Sequence, residues 1–167
     1  MLFNSIEFIL FLNLTVILYW TIFSKNLNLQ NIFLLLLSYI FYAGWDYRFL
    51  LLILVSTVTD YFIGLKLFSE SAVAKRKFLL ALSLIVNLGI LGVFKYSNFF
   101  IDSFINLLRY FGFSWLNPWS LNIILPVGIS FYTFQTMSYT IDIYRNKIRP
   151  TKDFIPFAAF VSLFPQL

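Results

Sequence analysis

Asp60 lies in the middle of a long apolar run, inside the polar patch Ser56-Thr57-Val58-Thr59-Asp60-Tyr61. At helical spacing it stands one turn from Ser56 and one turn from Gly64. An Asp at the centre of a membrane helix costs about 2.5–3.5 kcal/mol on insertion scales, so it needs a reason to be there. Two reasons stay open. One is a cavity-facing acid that positions a substrate; the other is an acid capped by hydroxyls and a neighbouring helix, with Ser, Thr and Tyr as its partners.

A second pattern is longer. Gly128, Tyr132, Gln135, Tyr139 and Asp142 follow at intervals of 4, 3, 4 and 3, which puts them on one helical face. Ile129, Phe131, Phe134, Ile141 and Ile143 lie elsewhere. Such a face suits either a hydrated substrate funnel or a packing seam with Tyr and Gln as interhelical hydrogen-bond donors. The candidate funnel residues are thus Tyr132, Gln135, Tyr139, Asp142 and Asp60. Asp142 and Arg145, three apart, read as a surface ion pair worth about 0–1 kcal/mol.

Absences limit the remaining chemistry. The chain has no His and no Cys, so it offers no imidazole base, no thiolate nucleophile and no site built on either ligand. Asp46, Asp60, Asp102 and Asp142 belong to separate elements without ligand spacing, so no metal site is expected. No glycine loop of phosphate-binding spacing occurs, and no bound cofactor is expected. No residue can be assigned as catalytic.

The elements that must position these residues follow from composition. Of 167 residues 60% are hydrophobic and only 11% charged, against about 25% charged in soluble domains, which excludes a water-soluble globular fold. The net charge of +5 forms no basic stripe of the kind that binds nucleic acid, and no nucleic-acid partner is expected. The apolar residues come in long runs parted by short polar clusters. They predict an all-α, polytopic transmembrane bundle with spans at about 6–23, 29–45, 49–68, 78–94 and 121–144.

The first run has no basic start and reads as an uncleaved helix. The Gly44-Trp45-Asp46 turn makes the second and third spans an antiparallel hairpin. In 95–112 the polar residues Lys95, Asn98, Asp102, Asn106 and Arg109 recur at 3, 4, 4 and 3, which predicts an amphipathic helix lying at the interface. Trp115 and Trp119 would follow in the aromatic belt. Pro126 and Gly128 predict a kink or re-entrant entry to the fifth span. The final stretch 157–167 is too short to cross about 30 Å of hydrocarbon at about 1.5 Å per residue, and reads as an unfinished span of a longer chain.

Orientation follows from the basic residues. Lys25, Lys66, Lys75, Arg76, Lys77, Arg145, Lys147, Arg149 and Lys152 fall on one side, against Arg48, Lys95 and Arg109 on the other, if 95–112 does not cross. Nine against three puts the N-terminus outside the cytoplasm. If 95–112 crossed, the count would be six against six. The Lys75-Arg76-Lys77 cluster reads most simply as a topology anchor.

Three segments resemble the bacterial membrane-bound O-acyltransferases, in the branch of alginate O-acetylation and D-alanyl transfer to teichoic acids. They are Phe41-Tyr42-Ala43-Gly44-Trp45-Asp46-Tyr47-Arg48-Phe49, Phe94-Lys95-Tyr96-Ser97-Asn98-Phe99-Phe100, and the long motif from Leu125-Pro126-Val127-Gly128 through Phe131-Tyr132-Thr133-Phe134-Gln135 to Tyr139-Thr140-Ile141-Asp142-Ile143-Tyr144-Arg145. Phe164-Pro165-Gln166-Leu167 resembles the start of a further family segment, and the match runs from about Asn31 to the last residue.

The resemblance implies an enzyme of ten or more spans in the bacterial inner membrane, in which two funnels meet mid-membrane. It implies transfer of an acyl group, usually acetyl, from a cytosolic acyl-CoA or acyl-carrier thioester to a hydroxyl of an exported polysaccharide or cell-envelope polymer. A periplasmic or extracellular acetylation partner protein is implied too. The family's essential His lies downstream of the matching region. The chain is therefore expected to be an N-terminal part whose C-terminal catalytic part is absent, inactive alone. The alternative is a non-catalytic membrane component of an export system or transporter; no convincing internal repeat favours a transporter.

Overall fold

Helix starts are set by side chains that accept the otherwise unpaired first-turn amides. Ser5 Oγ accepts from Phe8 N–H at 3.2 Å and opens α1 (Ile6–Thr21). Asn26 Oδ1 accepts from Asn28 and Leu29 N–H at 3.0 and 3.4 Å and opens α2 (Leu27–Ala43). The computed structural model describes residues 5–23, 25–44, 47–112 and 128–166, and among them every regular element is helical. The Trp45-Asp46 part of the expected turn, Trp115, Trp119 and Pro126 lie outside the described residues.

α3 (Tyr47–Ser69) follows α2 after three residues, and the two helices pack together, so they run antiparallel as the short turn predicts. The next helix differs from expectation at both ends. α4 (Val73–Leu91) begins five residues early, and the Lys75-Arg76-Lys77 cluster forms its first turns instead of a loop. Ala, Lys and Arg are strong helix formers, so the charges there do not mark a break. Its far end does not stop either. A π turn at Gly92–Tyr96 carries it into α5 (Ser97–Tyr110), making one unbroken helix from Val73 to Tyr110.

At 38 residues this helix is about 57 Å long, well beyond the ~30 Å of bilayer hydrocarbon. The expected boundary near residue 95 is therefore a π turn, where one extra residue is absorbed without breaking the helix. Lys95, within that turn, donates from Nζ to Ser130 Oγ at 2.9 Å and ties the turn to the start of α6 (Ile129–Tyr144).

α6 starts at a residue only glycine holds easily. Gly128 has φ +75°, and its carbonyl accepts from Phe131 and Tyr132 N–H at 2.9 and 3.1 Å. The expected span 121–144 is helical from Ile129; 121–127 lies outside the described residues. The other end closes on Asn146, left-handed at φ 57°. Asn146 N–H donates to Ile143 O and Lys147 N–H to Asp142 O, a Schellman motif.

α6 is the centre of the bundle, packed against α3 and α4. Its approach to α3 is close because Gly64 faces it: a Cβ there would stand 2.9 Å from Tyr139 Cε1 and 3.0 Å from Ile143 Cδ1. The carbonyls at the ends of α3 and α6 both reach Arg76, so these helices run parallel and α4 runs against both. Lys66, Lys75, Arg76, Lys77, Arg145 and Lys147 thus gather at one end of the bundle.

After α6 the chain turns back inward. Tyr61 Oη donates to the carbonyl of Lys152, and α7 (Phe154–Val161) then packs on α2 and α3, with Phe157, Ala158, Ala159 and Val161 buried. The stretch expected as an unfinished span is this eight-residue helix followed by a 3-10 turn at Phe164–Gln166. Phe164 N–H donates to Ser38 Oγ at 3.2 Å, and its ring meets Phe11 and Phe41 at centroid distances of 5.1 and 5.5 Å. That contact brings α1 and α2 together over the end of α7.

Among the described residues two helices are long and apolar enough to cross a membrane, Tyr47–Ser69 and Val73–Tyr110, and Ile6–Thr21 and Leu27–Ala43 are shorter apolar helices. The chain is a helical membrane protein.

Candidate functional site

Three helices each carry a polar pair four residues apart: Ser56 and Asp60 on α3, Ser83 and Asn87 on α4, Thr136 and Thr140 on α6. Because α4 runs against the other two, these pairs stack in two tiers, one helical turn apart at about 6 Å. Asp60, Ser83 and Thr140 make one tier. Ser56, Asn87 and Thr136 make the other.

The tiers are closed by side-chain bonds. Ser83 Oγ donates to Asp60 Oδ1 at 2.6 Å, and Asn87 Nδ2 donates to Asp60 Oδ2 at 2.6 Å. With its proton committed to Asp60, Ser83 Oγ can only accept from Thr140 Oγ1, 3.1 Å away. Ser56 donates to Asn87 Oδ1 at 2.5 Å, and Thr136 Oγ1 lies 3.2 Å from the same oxygen. None of the six residues is more than 1% exposed. Hydrogen-bond satisfaction is what makes such burial tolerable in lipid. Asp60 therefore meets hydroxyls and a neighbouring helix, with both carboxyl oxygens occupied.

The row Tyr132, Gln135, Tyr139 and Asp142 lies on a different side of α6 from the Thr row. Tyr132 is buried in the core cluster with Tyr42, Phe157 and Val161. Gln135 is half-buried and donates from Nε2 to the carbonyl of Phe160 at 2.9 Å, while Tyr139 packs its ring on Phe157 with centroids 4.5 Å apart. This row therefore faces α7, and Asp60 does not join it. Asp142 stands apart at the basic end, 3.9 Å from Lys147 Nζ, so its ion-pair partner is Lys147 where Arg145 was expected. The Schellman turn explains the change, since it folds Lys147 back over the last turn of α6.

The face toward α7 holds polar atoms that nothing among the described residues satisfies. The hydroxyls of Tyr42 and Tyr132 and the Oε1 of Gln135 are buried without a hydrogen-bond partner there. Buried groups of this kind usually have a water, ligand or further protein group as partner. A row of hydroxyl and amide groups opposite the short helix α7 can orient a neutral polar molecule, but it contains no base.

Sequence reasoning found Asp60 and missed its partners. Ser83 with Asn87, and Thr136 with Thr140, carried the same signal as Ser56 with Asp60: two polar residues one turn apart in an apolar helix.

No family model and no solved structure matches the chain. Curated relatives do. The chain is 43% identical to the "Probable alginate O-acetylase AlgI" of Pseudomonas putida, across all of this chain and 34% of that protein. It is 45% identical to the protein of the same name from Pseudomonas aeruginosa, over 83% of this chain and 26% of that protein. Against the "Peptidoglycan O-acetyltransferase" of Helicobacter pylori it is 34% identical, over 87% of this chain and 31% of that protein. The chain spans about a third or less of the length of these relatives. It belongs to the membrane-bound O-acyltransferase family, in the branch of the alginate and peptidoglycan O-acetylases.

Proposed function

We propose that this chain is the scaffold part of an O-acyltransferase that moves an acyl group, acetyl by analogy with its relatives, from a cytosolic thioester to a hydroxyl of an exported polysaccharide or cell-envelope polymer. The observation that carries this reading is the 43% identity to an alginate O-acetylase over all of this chain. The donor would be acyl-CoA or an acyl-carrier thioester, and an extracytoplasmic partner protein would take part in delivery to the polymer. The setting is the bacterial inner membrane, crossed several times, with the N-terminus outside the cytoplasm.

Acyl transfer to a hydroxyl needs a base for the nucleophile and donors for the oxyanion. The chain has no His, so the base comes from a part of the enzyme outside these 167 residues. What these residues supply is position. The two-tier polar centre fixes α3, α4 and α6 against one another, and α6 then presents Tyr132, Gln135 and Tyr139 as lining for the path that substrates take.

Two measurements test the reading. Purified residues 1–167 are expected to give no acetyl transfer from acetyl-CoA to a polysaccharide acceptor, while a longer protein containing them and an intramembrane His does; transfer by the 167 residues alone overturns it. In that longer protein, Gln135→Ala and Tyr139→Phe are each expected to lower turnover about tenfold with membrane abundance within twofold of the parent. Parallel losses of turnover and abundance would make the face a packing seam.

A further inference from the structure

We propose that the cavity between the C-terminal end of α3 and the first turns of α4 is a binding site for the phosphate of an anionic phospholipid headgroup. It is lined by Lys66 and Ser69 from α3, Glu70 from the connection, and Lys75, Phe78 and Leu79 from α4. Its volume is about 230 Å³. That is below the ~300–1,000 Å³ of pockets that enclose a whole drug-sized ligand, so it fits a headgroup whose acyl chains stay outside.

The charges in the cavity are unequal, and the geometry says which cation is free. Glu70 Oε1 accepts from Ala72 N–H at 3.1 Å, and its Oε2 lies 3.6 Å from Lys75 Nζ. The Ala72 amide is also the main reason the Glu70 carboxyl is held below its usual range, with Lys75 adding to it, so Glu70 is charged at neutral pH. Lys75 thereby shares its charge with Glu70 in an exposed pair. Lys66 has no carboxylate within ion-pair distance among the described residues. Two cations against one anion leave a net single positive charge, the complement of a phosphodiester.

The walls point to a lipid as the source of that phosphate. Phe78 and Leu79 of α4 line the cavity, and Phe78 is more than half exposed there. They sit in the first turns of an apolar helix, where an acyl chain would run down the bundle surface from a headgroup held above. Basic pockets between membrane helices on the cytoplasmic side bind anionic headgroups by this combination of charge and apolar wall.

Native mass spectrometry of the intact protein in detergent, titrated with phosphatidylglycerol or phosphatidylcholine, tests the site. Phosphatidylglycerol is expected to be retained over phosphatidylcholine. The double variant Lys66→Gln/Lys75→Gln should bind it about 25-fold more weakly, about fivefold per lysine. Arg149→Gln/Lys152→Gln, which removes two cations from outside the cavity, should bind as the parent does. Equal losses in both pairs, or equal retention of the two lipids, overturns the proposal. Displacement of phosphatidylglycerol by millimolar inorganic phosphate or coenzyme A would assign the cavity to a soluble phosphate and overturn it as well. Glu70→Gln keeps the acceptor for Ala72 while freeing Lys75, and should tighten phosphatidylglycerol binding; weaker binding counts against the site even if the double lysine variant fails to fold.

Discussion

Asp60→Ala is expected to destabilise the bundle by about 2–4 kcal/mol, whereas Asp60→Asn is expected to cost about 1 kcal/mol or less. The difference comes from what each leaves behind. With alanine, the Ser83 hydroxyl and the Asn87 amide lose the two oxygens they reach at 2.6 Å. Each buried donor left unpaired costs about 1–3 kcal/mol by soluble-protein measurements. Interhelical bonds in membranes average nearer 0.6 kcal/mol, with a maximum near 1.7, because the separated helices also find partners. Two short buried bonds and a cavity set the total between those limits. With asparagine, one amide oxygen still accepts from Ser83. Its new NH2 would then face the NH2 of Asn87, and a flip of the Asn87 amide removes that clash. The flipped NH2 then faces Ser56 and Thr136, whose hydroxyls now lie near the Asn87 Oδ1 and can rotate to accept. Thermal unfolding in detergent, followed by circular dichroism, checks both values. In a complete enzyme the same pair separates the two roles of the acid: normal turnover with Asp60→Asn fits a scaffold, and lost turnover at normal stability fits an acid that acts on substrate.

That acid was legible in the sequence because its cost is local. A carboxyl in an apolar run must be explained wherever the helix goes, so Asp60 stands out without knowledge of its neighbours. Its partners were harder to see for the opposite reason. Ser83, Thr136 and Thr140 are cheap in a membrane helix, since a hydroxyl can bond to a carbonyl of the preceding turn. Thr136 and Thr140 lie 3.1 and 3.0 Å from Thr133 O and Met137 O, so the single proton of each has a carbonyl as the alternative acceptor to its tier partner. Periodicity chose the more conspicuous row, Tyr132, Gln135 and Tyr139, which faces α7, with Tyr139 also against Gly64 of α3, and takes no part in the polar tiers. A period identifies which residues share a face and says nothing about which neighbour that face meets. The same limit explains residues 92–112. Their polar spacing did mark a change of character at Lys95, but a π turn absorbs such a change within one helix, and no sequence signal separates it from a break. Short-range devices were readable where they depend on one residue, as at Gly128.

Arg76→Ala is the second variant with a large expected effect, about 2–4 kcal/mol, which for a chain of this size is a fall of roughly 5–15 °C in Tm. As a member of a three-residue basic cluster, Arg76 reads like its neighbours; in the structure it does something they do not. One guanidinium nitrogen donates to Leu67 O at 2.6 Å and Glu70 O at 3.3 Å, at the end of α3. The other donates to Tyr144 O at 2.6 Å, Ile143 O at 3.4 Å and Asn146 Oδ1 at 3.0 Å, at the end of α6. The Tyr144 ring lies 5.5 Å from the guanidinium carbon. Two helices thus end on one cation carried by a third. Helix C-termini present unpaired carbonyls and the negative end of the dipole, so both favour a positive charge there. Only a planar fork can serve two ends at once, so Arg76→Lys should recover less than half of the loss. Lys75→Ala and Lys77→Ala should each stay within about 0.5 kcal/mol, since Lys75 is 73% exposed and pairs with Glu70 at 3.6 Å in a surface bridge. A topology anchor would make the three basic residues interchangeable. Equal shifts for all three variants in the same unfolding assay would therefore remove Arg76 from the architecture, and an Arg76 effect several times larger makes it the clamp that holds α3, α4 and α6 in register at the basic end.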